Sequence, residues 1–269
     1  MQATPGSDLP IEPGMKLRDN SYTVTERLAV GGHAVIYKAL DPAGDTVILK
    51  EYQLTPGETL GVMVESARIF ENESGILGRL ECDQIVKMKD LFYQDHRVYL
   101  VLEHVSGPTL RQQVATQGPM DEMGVISVAL QMCRILQFLH EQDPPIIHRD
   151  FTPDNLILEP NGNLKLIDFS VAQSGKNVKT GDCAGKHAYT PPEQFRGEPV
   201  VQSDIYALGA TLFFLLSGSD PEPISVSHPL ASDLNITQRL NDVIEHATAL
   251  SLNDRYESVA WLSTELTGI

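Results

Sequence analysis

The chain has 269 residues, 42% of them hydrophobic, and a formal net charge of −16. That length predicts two lobes sharing a cleft. The acidic balance argues against nucleic acid as a partner, because phosphate binding needs a basic surface; a basic peptide is compatible with it, and so is a plain acidic, solvated surface.

No run approaches the ~18–20 apolar residues of a membrane span, and MQATPGSDLPIEPG at the start has no signal-peptide pattern. The lack of such a run predicts no membrane contact within this chain, and Cys82, Cys133 and Cys183, with neither disulfide nor metal spacing, predict reduced thiols in a cytoplasm.

Residues 1–20, rich in Pro and Gly at their start, read as a flexible tail. A strand is predicted near Ser21–Leu28, then a hairpin in LAVGGHAVIYKAL around Gly31-Gly32-His33. TVILK is a strand ending in Lys50. Residues 58–80 show helical periodicity, with Met63, Ala67, Phe70, Ser74 and Leu77 on one stripe and Glu73 beside it. Two strands follow in residues 84–103, turning at Asp95-His96-Arg97. A long helix is predicted from Asp121 to Gln142, its apolar side on a core. Residues 171–193 are polar, and 203–217 form a buried helix. The stretch 218–236 is short and proline-rich, and helices near 237–249 and 257–267 close the chain.

The chemistry concentrates in IIHRDFTPDNLILEPNGNLKLIDFS, residues 146–170. Asp150 and Asn155 lie in a short loop that Pro153 keeps from becoming helical. The apolar runs around Asn161-Gly162 predict a hairpin that returns Asp168 to the same mouth. Asn155 and Asp168 can then hold Mg²⁺ on a triphosphate, because Mg²⁺ takes one or two protein oxygens with phosphates and waters. Asp150 is left to accept the proton of an attacking hydroxyl.

These residues resemble the eukaryotic-type protein kinases: His148-Arg149-Asp150-Phe151-Thr152-Pro153-Asp154-Asn155 matches H-R-D-x-K-P-x-N, and Asp168-Phe169-Ser170 matches D-F-G. TPPEQF and SDIYALG look most like the bacterial members. The resemblance covers about residues 21–267. It implies an α+β, two-lobed kinase fold: a small β-rich N-lobe with one main helix (21–102), a hinge (103–105) and a mainly helical C-lobe (106–267). It implies ATP with Mg²⁺ or Mn²⁺ and a protein Ser/Thr substrate.

Aligned to the family's Gly-rich loop, the glycines become Ala29, Gly31 and Ala34 and the valine Ile36, so the loop is stiffer. Lys50 matches the lysine of V-A-I-K, with Ile48 roofing the adenine. Glu73 is its ion-pair partner, with Glu71 as competitor. Backbone groups of Glu103 and Val105 and the side chain of Ile157 would meet adenine. Leu77, Met88, His148 and Phe169 would form an apolar column. Glu193 would pair with Arg255, and Asp204 would brace the catalytic loop. Arg149 would bind a phosphate on the following segment, at Thr180 first and Ser174 second; simple loop polarity is the alternative.

Thr152 stands where the family has lysine, and Lys186 where it has threonine. An exchange is expected, with Lys186 reaching Asp150 and the γ-phosphate; independent drift, with Lys186 in solvent, is the alternative. A nucleotide-binding pseudokinase scaffold is the first rival function, given Ala29, Ala34, Ile48, Thr152 and Ser170. A small-molecule kinase on the same fold is the second.

Overall fold

Alternating strands in the first hundred residues build one six-stranded antiparallel sheet: β1 (Lys16–Leu17), β2 (Tyr22–Val30), β3 (Val35–Leu40), β4 (Thr46–Gln53), β5 (Met88–Gln94) and β6 (Arg97–Glu103), in the order β1-β2-β3-β4-β6-β5. The computed structural model describes residues 11–31, 34–53, 60–174, 186–232 and 234–269, and the chain divides into two units after Val105. Gly32, His33, Thr180 and Cys183, named above, lie outside the described residues, as does the side chain of Met63.

In the first unit, the register opposes Tyr37 to Leu49 and Glu51 to Tyr99 on one face, and Ile36 to Lys50 to Leu100 on the other. The first face carries an apolar core that includes Ile11, Leu17, Tyr22, Val24, Leu49 and Phe92. Ile11 and Leu17 are buried, Gly14 N–H donates to Val24 O (2.8 Å), and β1 pairs with β2. The expected flexible tail through residue 20 is therefore corrected: residues 11–20 are part of the sheet's cover. Their few apolar side chains are spent on one buried face, which composition alone does not reveal. The sheet curls enough for its two edges to meet, where Tyr22 Oη donates to Asp90 (2.8 Å) and Arg18 N–H to Gln94 Oε1 (2.7 Å). Asp95 and His96, both at positive φ, make the tight turn between β5 and β6.

One helix, α1 (Leu60–Leu77), completes this unit. Among its described side chains Ser66, Ile69, Glu73, Ile76 and Leu77 are buried, while Ala67, Phe70 and Ser74 are half-buried. The expected stripe is thus rotated by about one residue. A pattern read from apolar positions alone does not count a buried Ser and Glu.

The second unit begins with Gly107 at φ +128, where an added Cβ would stand 2.3 Å from Leu158 O, so only glycine permits this approach. α2 (Leu110–Gln117) follows, unanticipated in the sequence, started by a capping box between Thr109 and Gln112. α3 (Glu122–His140) is capped by Asp121 and buries Val125, Ala129, Met132, Leu136 and Leu139. It is long and apolar enough by length and mean composition to cross a membrane, but Gln131, Arg134 and Gln137 interrupt its apolar residues and half of it is buried against other elements of the unit, α7 and α5 (ranges below) among them.

β7 (Ile146–Ile147) pairs with β10 (Gln173–Ser174), and β8 (Leu156–Leu158) with β9 (Leu164–Leu166) as the expected hairpin. α4 (Pro192–Phe195) precedes α5 (Val201–Ser217), which is buried along most of its length and ends at Gly218 in the left-handed region. Between 218 and 236 the described residues hold only a short 3₁₀ turn, Leu230–Ser232. α6 (Gln238–Ala247) and α7 (Val259–Thr267) close the unit.

Candidate active site

The β unit holds a buried ion pair of its own. Strand alternation puts Ile48, Lys50 and Tyr52 on one face of β4. Lys50 Nζ lies 2.9 and 2.8 Å from the two carboxylate oxygens of Glu73, and Tyr52 Oη donates to Oε2 of the same carboxylate. Glu73 and Tyr52 are fully buried and Lys50 nearly so, whereas Glu71, the competitor, is exposed. Tyr52 was not anticipated; its position two residues after Lys50, on the same face, was the available signal.

Ile36 is the cross-strand partner of both Ala29 and Lys50, so Ala29, Ile36, Ile48 and Lys50 share one sheet face. Gly31 N–H donates to Ala34 O (2.9 Å) at the hairpin end. Ala29 and Ala34 have no positive φ, so neither position demands glycine. Glu103 ends β6 with its N–H on Lys87 O (2.9 Å), and buried Val105 ends the unit. Leu77 and Met88 also belong here.

The helical unit holds the loop. Asp204, fully buried in the first turn of α5, accepts the N–H groups of His148 and Arg149 at 2.8 Å each, and His140 Nε2 lies 2.9 Å away. Arg149 carries φ +70, a strained value for a non-glycine residue. Gln194, just after Glu193, secures it by donating to Arg149 O (2.7 Å). Glu193 itself takes Arg255 Nη1 (2.7 Å) and the Ser203 hydroxyl (2.8 Å), as the resemblance implied for Arg255.

Within the loop, Asn155 Nδ2 donates to both the backbone oxygen and Oδ2 of Asp150, at 2.8 Å each. Its amide nitrogen is committed, which turns Oδ1 into the atom available to a cation. Asp150 Oδ1 and Thr152 Oγ1 are buried oxygens without a hydrogen-bond partner among the described residues. Burial pushes the Asp150 carboxyl above the ordinary carboxylate range; the charge of Asp168 adds to this, while His148, the Asn155 hydrogen bond and Lys186 pull it down. Asp168 follows β9, its backbone oxygen on His148 Nε2 (2.6 Å) and its Oδ1 on Ser170 N–H (2.9 Å). Ser170 has no positive φ, so the serine fits without strain. His148 packs edge-to-face on buried Phe169 at 5.1 Å. Ile157, half-buried on β8, bridges to Thr109.

Lys186 does not meet Asp150. Its amine pairs with Asp154, which also takes Arg111 Nε (2.7 Å). The expected direct contact is corrected, because Asp150 is buried while Asp154 offers a more accessible carboxylate four residues along the same loop. Arg111, also unanticipated, further holds Asp220 (2.9 Å) and the Tyr189 hydroxyl (3.1 Å). Ser174 lies in the β7–β10 ladder opposite Ile146, rather than in an open segment. Among the described residues no three His, Cys, Asp or Glu gather to hold a metal on their own. The Mg²⁺ pair expected from the sequence, Asn155 and Asp168, would need no such cluster, because Mg²⁺ takes one or two protein oxygens with phosphates and waters.

The model of the protein kinase domain matches residues 22–264. The chain belongs to the protein kinase family. It is 32% identical over 266 residues to serine/threonine-protein kinase B of Synechocystis, covering 91% of this chain and 46% of that protein. It is 30% identical over 262 residues to serine/threonine-protein kinase PknA of Nostoc, covering 90% of this chain and 46% of that one. A probable serine/threonine-protein kinase PknB of Lactococcus lactis is 29% identical over 269 residues, covering 93% and 42%. The chain thus spans less than half the length of these relatives. The protein kinase family uses ATP and a divalent metal.

Proposed function

We propose that this kinase domain transfers the γ-phosphate of ATP to Ser and Thr hydroxyls of proteins, itself included. The observation that carries this is Asp150: a buried carboxylate, oriented by Asn155 through Oδ2, with Oδ1 left without a partner among the described residues. An acceptor in that state suits a substrate hydroxyl, whose proton it would take as phosphoryl transfer proceeds. Asn155 and Asp168 would hold Mg²⁺ (or Mn²⁺), which supplies charge neutralisation at the phosphates. Lys50, fixed by Glu73, would meet the α- and β-phosphates. Ala29, Gly31, Ile36 and Ile48 would cover the nucleotide, with Ile157 and the backbone of Glu103 and Val105 at adenine. Since the N–H of Glu103 is bound to Lys87 O, this reading gives adenine its carbonyl.

Lys186 would act at a distance, as a positive charge beside Asp150 that keeps its carboxylate ionised, with Thr152 as a neighbouring hydroxyl. The need for ATP would suit a reaction in the cytoplasm. Thr180 remains the first self-phosphorylation candidate, ahead of the strand-bound Ser174. Asp150→Asn tests the proposal: phosphoryl transfer should fall by about 10²–10⁴-fold while nucleotide binding persists. Retained transfer would refute the role of Asp150. The pairing of Lys186 with Asp154, in place of a direct contact with Asp150, favours the alternative of a nucleotide-binding pseudokinase; that alternative predicts binding without transfer in the parent chain.

A further inference from the structure

Between α6 and α7 lies a cleft that phosphoryl transfer does not use. It measures about 330 Å³ and is lined by Arg239, Asp242, His246, Tyr256, Trp261 and Glu265. His246 and Tyr256 stack at 3.9 Å with 33° between planes. Trp261 stands at 84° to His246 and 82° to Tyr256, with centroids at 6.0 and 5.7 Å. Two aromatic walls therefore meet at nearly a right angle. Tyr256 is buried and backs the half-buried His246, while Trp261 is left 46% exposed.

Carboxylates stand beside these walls. Glu265 and Asp242 both act on Tyr256, whose hydroxyl is pushed up to about 12, by burial first and then by those two charges. Arg239, the one cation of the lining, donates to Gly268 O. The negative faces of aromatic rings attract cations, above all guanidinium and alkylammonium groups. The carboxylates add attraction for a cation and repulsion for an anion, and a purely apolar ligand would gain nothing from them.

We propose that this cleft binds one cationic side chain, an arginine or lysine presented by a protein partner. The net charge of −16 favours the approach of such a partner. The site is independent of the phosphoryl-transfer assignment and requires no nucleotide.

Trp261 is the only tryptophan in the chain, so its fluorescence reads the cleft directly. The whole chain is titrated with a capped Gly-Arg-Gly peptide, its lysine counterpart and its neutral citrulline counterpart, with calorimetry on the same samples in case the fluorescence is silent. The expected result is saturable binding of the arginine or lysine peptide, at least about fivefold tighter than citrulline, and weakened by added salt. Glu265→Gln, at an exposed position, should weaken arginine binding by about threefold or more without changing thermal unfolding. Absence of saturable binding by both methods, equal affinity for citrulline, or unchanged arginine affinity in folded Glu265→Gln would each overturn the proposal.

Discussion

The Tyr52 hydroxyl donates to the same Glu73 carboxylate that holds the Lys50 amine. Lys50 and Tyr52 reach Glu73 from one strand face, so the orientation of the carboxylate is fixed from two directions. Hydrogen bonds to a charged group contribute about 1.5–3 kcal/mol. Tyr52→Phe is therefore expected to lower kcat/KM for ATP by roughly tenfold or more, and Lys50→Met by much more. Steady-state kinetics over ATP concentration check this; unchanged kinetics in Tyr52→Phe would leave Lys50 and Glu73 sufficient by themselves.

The acidic limb of the pH–rate profile should lie above the range of an ordinary aspartate. As the proposed proton acceptor, Asp150 would have to be ionised, and burial raises its pKa, so the rate should climb as pH rises through that raised value. Lys186 lowers the same pKa. Lys186→Met should consequently move the limb to higher pH and, if the charge also acts on the transferring phosphate, reduce kcat by ~10–10³. A solvent lysine with no electrostatic reach would leave both limb and kcat in place.

Breaking the pair of Arg255 and Glu193 should destabilise the fold. Arg255 is 2% exposed, bound to Glu193 at 2.7 Å and to the backbone oxygens of Ala249 and Gln202. Arg255→Met leaves a buried carboxylate without its cation, at a cost of about 3–5 kcal/mol. Urea unfolding measures it, and Glu193→Gln in the same chain should recover part of the loss.

Leu17→Ala should cost about 2–4 kcal/mol in unfolding free energy, because Leu17 is buried in the core of the β unit. If residues through 20 were a tail, the substitution would be silent in thermal and urea unfolding.

Much of the helical unit was legible from side-chain identity. Asp204 on the catalytic-loop backbone and the Glu193–Arg255 pair stand as the resemblance implied, and Asn161-Gly162 announces its own hairpin. What escaped depends on partners distant in sequence. Ile11 and Leu17 look like tail residues until the face they cover is known. The buried stripe of α1 includes Ser66 and Glu73, which an apolar pattern does not count. Lys186 had two carboxylates within one loop to choose from, and its preference for Asp154 follows from relative burial, which no spacing encodes. α2 is too short to give a clear period, although its Thr109/Gln112 capping box was in plain sight.

The most direct measurement is a phosphate count by intact mass. The parent chain and Asp150→Asn are each incubated with ATP and Mg²⁺ in the presence of a Ser/Thr peptide library. The account predicts phosphate on the parent chain or its peptides, none with Asp150→Asn, and nucleotide binding by both. Nucleotide binding without any transfer by the parent, or equal transfer by Asp150→Asn, would contradict it.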